Sequence, residues 1–157
     1  MGDIDVTTVL RRAMSEDVAA IVGLLADDTL GRQREQVGGG RLDDAYRRAF
    51  DAIDADPRQL LVVADLDGEV VGTLQLSFIP YLTYRGGERA QIEAVRVAAA
   101  HRGTGLGRRM LEWSIEQARQ RGCHLVQLTT NKERTDARRF YESLGFATTH
   151  EGMKLSL

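Results

Sequence analysis

The sequence predicts one α/β domain built on a mixed, mostly antiparallel sheet flanked by helices. Three features predict it. Runs rich in β-branched and apolar residues alternate with amphipathic helical stretches along the chain. Asp67-Gly68 joins two such runs as a hairpin, which makes that pair antiparallel. Later, a strand, a glycine-rich junction, a long helix and another strand form a βαβ unit, whose strands run parallel. The 157 residues suit one domain with a real core, so residues 1–157 are read as a single unit.

Thr7 to Arg12 reads as the first strand. Ser15 is placed to cap a helix with Glu16 and Asp17 in its first turn and an apolar stripe of Val18, Ile21, Val22 and Leu25, ending near Asp27. Asp28 to Arg41 reads as a polar loop containing Gly38-Gly39-Gly40. Leu42 to Ala55 is helical, with Ala45, Ala49, Phe50 and Ile53 inward and Pro57 past its end. Leu60 to Asp65 and Val70 to Ile79 are the two arms of the hairpin, and Pro80 to Gly87 is a loop. A strand starting near Arg89 continues through Gln91 to Val97, where Ile92, Val95 and Val97 are strand formers. The helix after Gly107 runs to Arg121 and stops at Gly122. His124 to Thr130 is a strand, Asp136 to Leu144 a short helix with Phe140 and Leu144 inward, and Ala147 to Leu157 two short strands around Gly152. The predicted order is β-α-α-β-β-β-α-β-α-β-β.

Composition removes several functional classes. Twenty-one basic against 23 acidic residues leave a net charge of −2, which gives no reason to expect nucleic-acid binding. Cys123 is the single cysteine, so no intrachain disulfide forms; a reducing, cytoplasmic setting is expected, with Cys123 a buried inert thiol. No apolar run reaches membrane-spanning length, and the N-terminus has no hydrophobic signal region. Val6 stands where myristoylation requires Ser or Thr. His101, His124 and His150 lack metal-site spacing, so no metal is expected.

The chemistry concentrates at the glycine-rich junction. Glycines at a strand-to-helix turn let backbone N–H groups converge, and the helix N-terminus adds partial positive charge. Together they form an anion site, most often for phosphate. Arg108 and Arg109 follow Gly107, so the lysine and hydroxyl of a nucleotide P-loop are missing. Counted from Gly103, the last glycine of a dinucleotide fingerprint would fall on Arg108, and the next strand ends Thr129, Thr130, Asn131 with no ribose-binding acid.

What remains, Arg102-x-x-Gly105-x-Gly107 after a strand, resembles the pyrophosphate loop of the GNAT superfamily of N-acetyltransferases. One strand further on, Asp136 to Phe146, DARRFYESLGF, is similar to that superfamily's second signature, in which a tyrosine before a Gly-Phe end faces the cofactor thiol. The resemblance spans nearly the whole chain and is specific from Ile92 to Phe146. It implies acetyl-CoA as cofactor. Its pyrophosphate would sit on the N–H groups of Arg102, Gly103, Thr104, Gly105, Leu106, Gly107 and Arg108. Its pantetheine would pair with the backbone over Val95, Arg96 and Val97, with the Val95 N–H near the thioester carbonyl. Asn131, Ala137 and Phe140 would add contacts. One departure is that Arg134 stands where the family often has asparagine, with Asn131 earlier in the segment.

Acetyl transfer to an amine requires a proton acceptor, because an alkylammonium has a pKa of about 10. The resemblance assigns that role to Glu93, and protonation of the departing thiolate to Tyr141, whose phenol keeps its proton at neutral pH. The alternatives are a solvated or ion-paired glutamate and a core tyrosine. Leu30, Tyr81, Tyr84 and Glu93 are the candidate acceptor contacts, with His150 and Glu151 as further cleft candidates. The implied activity is transfer of an acetyl group to a small primary amine by direct attack. Acetylation of a protein terminus or lysine, and a CoA-binding regulatory module without turnover, stand as alternatives. The segment NKERTDARRFY looks similar to aminoalkylphosphonate acetyltransferases. Arg32, Arg34 and Arg85 suit an acid-bearing amine, while Asp27, Asp28, Glu35 and Glu93 suit a polyamine or aminoglycoside; the count leaves both open. Family members are often homodimers, and a homodimer is a further expectation.

Overall fold

The computed structural model describes residues 8–27, 31–35 and 42–157. Thr7, Asp28, Leu30 and Gly38-Gly39-Gly40 lie outside the described residues. Five strands form one sheet in the order β1-β2-β3-β4-β5: β1 Thr8–Arg12, β2 Gln59–Leu66, β3 Glu69–Pro80, β4 Glu88–Val97 and β5 Leu125–Leu128. The first three junctions are antiparallel and β4 pairs β5 parallel, so the mixed sheet is as expected. The β2–β3 hairpin turns at Asp67 (φ 51°) and Gly68 (φ 90°), both left-handed, as a tight turn between right-twisted strands requires.

Helices cover both faces. α1 Val18–Ala26 and α2 Asp44–Ala55 pack on one face, where Val18, Ile21, Val22 and Phe50 bury against Val63. α4 Leu106–Arg121 packs on the other, setting Leu106, Met110, Leu111 and Ala118 against Val62, Leu74, Leu76 and Ile92. Side chains such as Leu74 and Leu111 are fully buried, each contributing about 1.5–3 kcal/mol. α5 Thr135–Glu142 lays Phe140 and Tyr141 against the same cluster. Gly122, at φ 84°, closes α4 with its N–H on the Ala118 and Arg119 carbonyls.

Several local expectations are corrected. The inward stripe of α2 is Tyr46, Phe50 and Ile53; Ala45 and Ala49 are exposed, because the larger apolar side chains at i, i+4 and i+7 claim the core side. Ser15 lies in a 3₁₀ turn, Ser15–Asp17, and Asp17 does the capping by accepting the Met14 N–H at 2.7 Å. Within the 80–87 loop a single helical turn, α3 Thr83–Gly86, holds Tyr84 and Arg85 at left-handed φ of 52° and 60°. Residues 147–157 form no strand. Met153, Leu155 and Leu157 alternate as a strand would, yet are 96%, 87% and 117% exposed. A strand needs an edge to pair with, and β5, only four residues long, offers a short one.

Asp17 anchors the start of the domain. Arg11 donates to it at 2.7 and 3.0 Å and to Asp65 at 2.8 Å. The Arg11 hydrogen bonds hold the Asp17 carboxyl below the usual carboxylate range; burial opposes this and the Met14 N–H adds to it. A depressed folded-state pKa contributes stability that is fully present above the unfolded value of about 3.9 and lost as pH falls through the folded value. Asp17→Asn is therefore expected to lower stability at neutral pH and flatten its decline below about pH 4. Urea unfolding at neutral and acidic pH checks this; an unchanged acid profile would show that Asp17 contributes no linkage.

Candidate active site

The site begins with a defect in the sheet. β3 and β4 pair Gln75 with Glu93 and Thr73 with Arg96, so one extra residue is inserted on β4, and Ala94 takes a left-handed φ of 54°. Residues three apart in a regular strand point to opposite faces. Here the bulge restores register, so Glu93 and Arg96 share a face with Gln75 and Thr73. That is the α1/α2 face, because Val63, opposite Thr73, belongs to the α1/α2 core. Val95 and Val97 pack against the α4 cluster instead.

Beyond the bulge the sheet opens. β4 pairs with β5 from Arg89–Leu125 to Ile92–Leu128, then, among the described residues, pairs with β3 alone as far as Val97. The Ala98 N–H donates to Val71 at 2.8 Å. Alternation then turns the N–H and C=O groups of Val95 and Val97 to the other edge, into the opening. Two guanidinium groups meet that edge: Arg96 Nη1 donates to Val95 O at 2.9 Å and Arg102 Nε to Val97 O at 3.1 Å.

The opening leads to the N-terminus of α4. Gly103 (φ 76°) and Gly105 (φ 90°) adopt left-handed backbone that few other residues accept. Gly105 is the N-cap, and among the described residues no side chain caps the helix. Its leading N–H groups thus have no intrahelical acceptor. The first turn carries no acidic residue and includes Arg108 and Arg109. Cations there oppose the helix dipole unless an anion sits among them. A Cβ on Gly107 would lie 3.7 Å from Phe140 and 3.8 Å from Val97, so the helix start already touches the cleft wall. Thr104 Oγ1 donates to the His101 carbonyl at 2.7 Å, fixing the turn. Arg102 also reaches Asp27 at 3.4 Å and Arg108 donates to Ser143 at 2.9 Å, tying the loop to α1 and to the end of α5. An extended acyl carrier with amides at one end and phosphates at the other fits these groups.

Tyr141 stands beside the opening, half-buried against Phe140 at 5.4 Å between ring centroids and Phe146 at 6.1 Å. Burial pushes its phenol above the usual range, with Arg96 and then Arg134 pulling partly back. Its proton is therefore held at neutral pH. Glu93 is exposed and forms no hydrogen bond or ion pair among the described residues.

The other predicted residues divide. Asn131 is exposed, and its Oδ1 accepts the Glu133 N–H at 3.0 Å, so its side chain is engaged in its own turn. Ala137 is half-buried on α5. Tyr81 and Tyr84 are grouped with His124 and Arg89 rather than with Glu93: Tyr84 stacks on His124 at 4.5 Å, and the Arg89 guanidinium lies 4.4 Å over Tyr81. Tyr81 neighbours the start of β4, and Glu93 lies five strand positions past Glu88, about 17 Å away. His150 and Glu151 are exposed in the final segment. Asp27 is ion-paired with Arg102, and Glu35 accepts from Tyr46 at 2.7 Å. Cys123 is half-buried, its thiol pushed up by burial, which suits an inert role. No group of three or more metal-ligating side chains occurs among the described residues, nor a helix long and apolar enough to cross a membrane.

Sequence reasoning missed the bulge, although Ile92 and Val95 both face the α4 core at a spacing of three, which breaks alternation. It also missed a polar row across the α1/α2 face: Gln59, Ser77, Gln91 and Gln127 are successive register partners, with Gln127 Nε2 donating to Gln91 Oε1 at 2.6 Å. A cleft of about 510 Å³ between α1 and the start of β3, lined by Gly23, Asp27, Arg32, Glu69 and Ala98, includes neither Glu93 nor Tyr141.

A sheet that parts at a bulge beside a glycine-capped helix start, with a carboxylate on one face and a phenol on the other, suits an acyl-group transferase. The chain belongs to the acetyltransferase (GNAT) family, whose model matches residues 19–146. It is 32% identical over 141 residues to the aminoalkylphosphonate N-acetyltransferase of Salmonella typhimurium, covering 90% of this chain and 86% of that one. To the L-methionine sulfoximine/L-methionine sulfone acetyltransferase of the same organism it is 33% identical over 98 residues, 60% of this chain and 56% of that one. Among solved structures, a chain from Bacillus halodurans described as a transcriptional regulator superposes with a TM-score of 0.92 at 49% identity, over 96% of this chain and 99% of that one.

Proposed function

We propose that this protein transfers the acetyl group of acetyl-CoA to the primary amine of a small molecule, by direct attack within a ternary complex. The observation that carries the reading is the open edge of β4, which runs from Glu93 and the bulge into the uncapped start of α4. Bound acetyl-CoA supplies an activated acetyl group as a thioester. The helix start and the N–H groups from Gly103 to Arg108 would hold the pyrophosphate; the Arg102 N–H, expected among them, donates instead to the Ala99 carbonyl at 3.3 Å. The backbone of Val95 and Val97 pairs the pantetheine amides, and the Val95 N–H polarises the thioester carbonyl. Glu93 takes the ammonium proton, directly or through water, and Tyr141 gives its proton to the departing sulfur. Glu93 is on the α1/α2 face and Tyr141 packs with the α4 cluster, so base and acid flank the β4 edge from two sides. That is what attack on one side of a carbonyl and departure on another require.

The two Salmonella relatives are named for small amines, which supports a small acceptor over a protein terminus. The Bacillus halodurans description favours a second reading, a regulatory module that binds CoA without turnover. Thiol release from acetyl-CoA across a panel of small amines separates them. Amine-dependent release supports the transferase; acetyl-CoA binding without release from any amine supports the module.

Tyr141→Phe is expected to lower kcat on the order of 10²-fold, within the range of general acids, with little change in acetyl-CoA affinity. Only the hydroxyl is lost, and it acts chiefly as negative charge grows on sulfur. Wild-type kcat in the variant would assign protonation to another group.

A further inference from the structure

We propose that a second copy of this chain docks on the open edge of β5, and that the strand it lays there is its own final segment, Met153 to Leu157. The exchange is reciprocal, so two copies close on each other about a two-fold axis.

The segment is a strand without a partner. Met153, Leu155 and Leu157 alternate with Lys154 and Ser156, and the three apolar side chains are exposed. It emerges beside β5: Glu151 is ion-paired at 3.7 Å with Lys132, just past the end of that strand.

The edge is the matching half. Among the described residues β5 closes the sheet and pairs only with β4, so its outer N–H and C=O groups offer a template for a further strand. Val126 and Leu128 pack half-buried against the α4 core, while Gln127 belongs to the polar row on the other face. Residues side by side in a sheet share a face. A segment with its apolar row beside Val126 and Leu128 therefore turns Lys154 and Ser156 to the side of Gln127. β1, at the opposite edge, carries Arg11 and Arg12, charges that guard an edge against pairing.

A five-residue strand also overruns the four residues of β5, and one end meets the 80–87 turn. There Tyr84 stacks on His124, the residue before β5, and Leu82 and Tyr84 are 95% and 70% exposed. Tyr84 and Arg85 hold left-handed backbone, a strain of the kind that persists where a surface binds. The area suffices. Five extended residues expose about 800 Å², so two segments docked over roughly two-thirds of their surface, with equal area on the receiving edges, remove about 2,000 Å², as a stable interface does. The chain's own segment leaves this edge uncovered; a second copy brings both missing halves, a strand for the edge and an edge for the strand.

Sedimentation and amide hydrogen exchange on the full chain, at tens of micromolar, test this. The wild type is expected at twice 17.4 kDa, with the amides of Met153 to Leu157 protected. Leu155→Asp, on the donated strand, and Leu82→Asp, on the receiving turn, should each sediment as folded monomers, since both side chains are exposed. Mixed in equal amounts, the two variants should regain a dimer weaker than the wild type, because one intact strand still meets one intact edge. A monomeric wild type overturns the proposal, whether its segment is unprotected or protected on its own β5. Dimers that survive both substitutions place the interface elsewhere, and a mixture that stays monomeric rules out exchange.

Discussion

Glu93→Gln is expected to slow turnover by about 10²–10⁴-fold near neutral pH and to recover as the pH rises. The substitution keeps size and hydrogen bonding and removes basicity. At higher pH the acceptor arrives already as free amine, so the missing base costs less. A glutamate that only binds the ammonium behaves differently: acceptor KM rises while kcat at saturation stays near wild type. One pH–rate series with a good acceptor separates these roles. Unchanged kcat and KM across the series would leave Glu93 a bystander, with its exposure at the strand edge its whole explanation.

The second large effect is on binding. At about 100 times its dissociation constant, acetyl-CoA adds about 2.7 kcal/mol to the folded state. For a domain of this size that is a rise of roughly 5–10 °C in melting temperature. Gly105→Asp is expected to abolish the shift. It puts a side chain and a negative charge at the N-cap of α4, where the pyrophosphate must lie, at a φ of 90° that suits glycine. The variant's own melting temperature also falls, so the quantity to compare is the ligand-induced shift. A wild-type shift retained in Gly105→Asp would move the phosphate site away from this helix.

Much of this architecture was legible because it is written in local chemistry. Asp67-Gly68 dictates its own turn, Gly122 its own helix end, and the Val18, Ile21, Val22 stripe its own buried face. The turn at Gly103 and Gly105 was legible for the same reason: only certain residues tolerate its left-handed backbone. What escaped was decided between distant segments. The alternation of Met153, Leu155 and Leu157 is a genuine strand signal, but a strand forms only with a partner edge, and the sequence does not reveal whether one is offered. Ala45 and Ala49 looked buried because apolarity alone does not rank a methyl below the ring of Tyr46 two turns from Ile53. Tyr81 and Tyr84 looked like acceptor contacts because loop aromatics often are; the fold stacks them on His124 at the far end of β4. The side on which Arg96 lies was hidden for a sharper reason. One inserted residue at Ala94 reverses the face of everything after it, and that insertion is visible only in the pairing with β3.

The most direct test of the central claim follows free thiol and acetylated amine when stoichiometric enzyme meets acetyl-CoA, first without an amine and then with aminoethylphosphonate. Direct transfer in a ternary complex predicts no thiol release before the amine is added, then one acetylated amine for each thiol released. A burst of thiol equal to the enzyme concentration before amine is present, or no acetylated amine after it is added, would contradict the account.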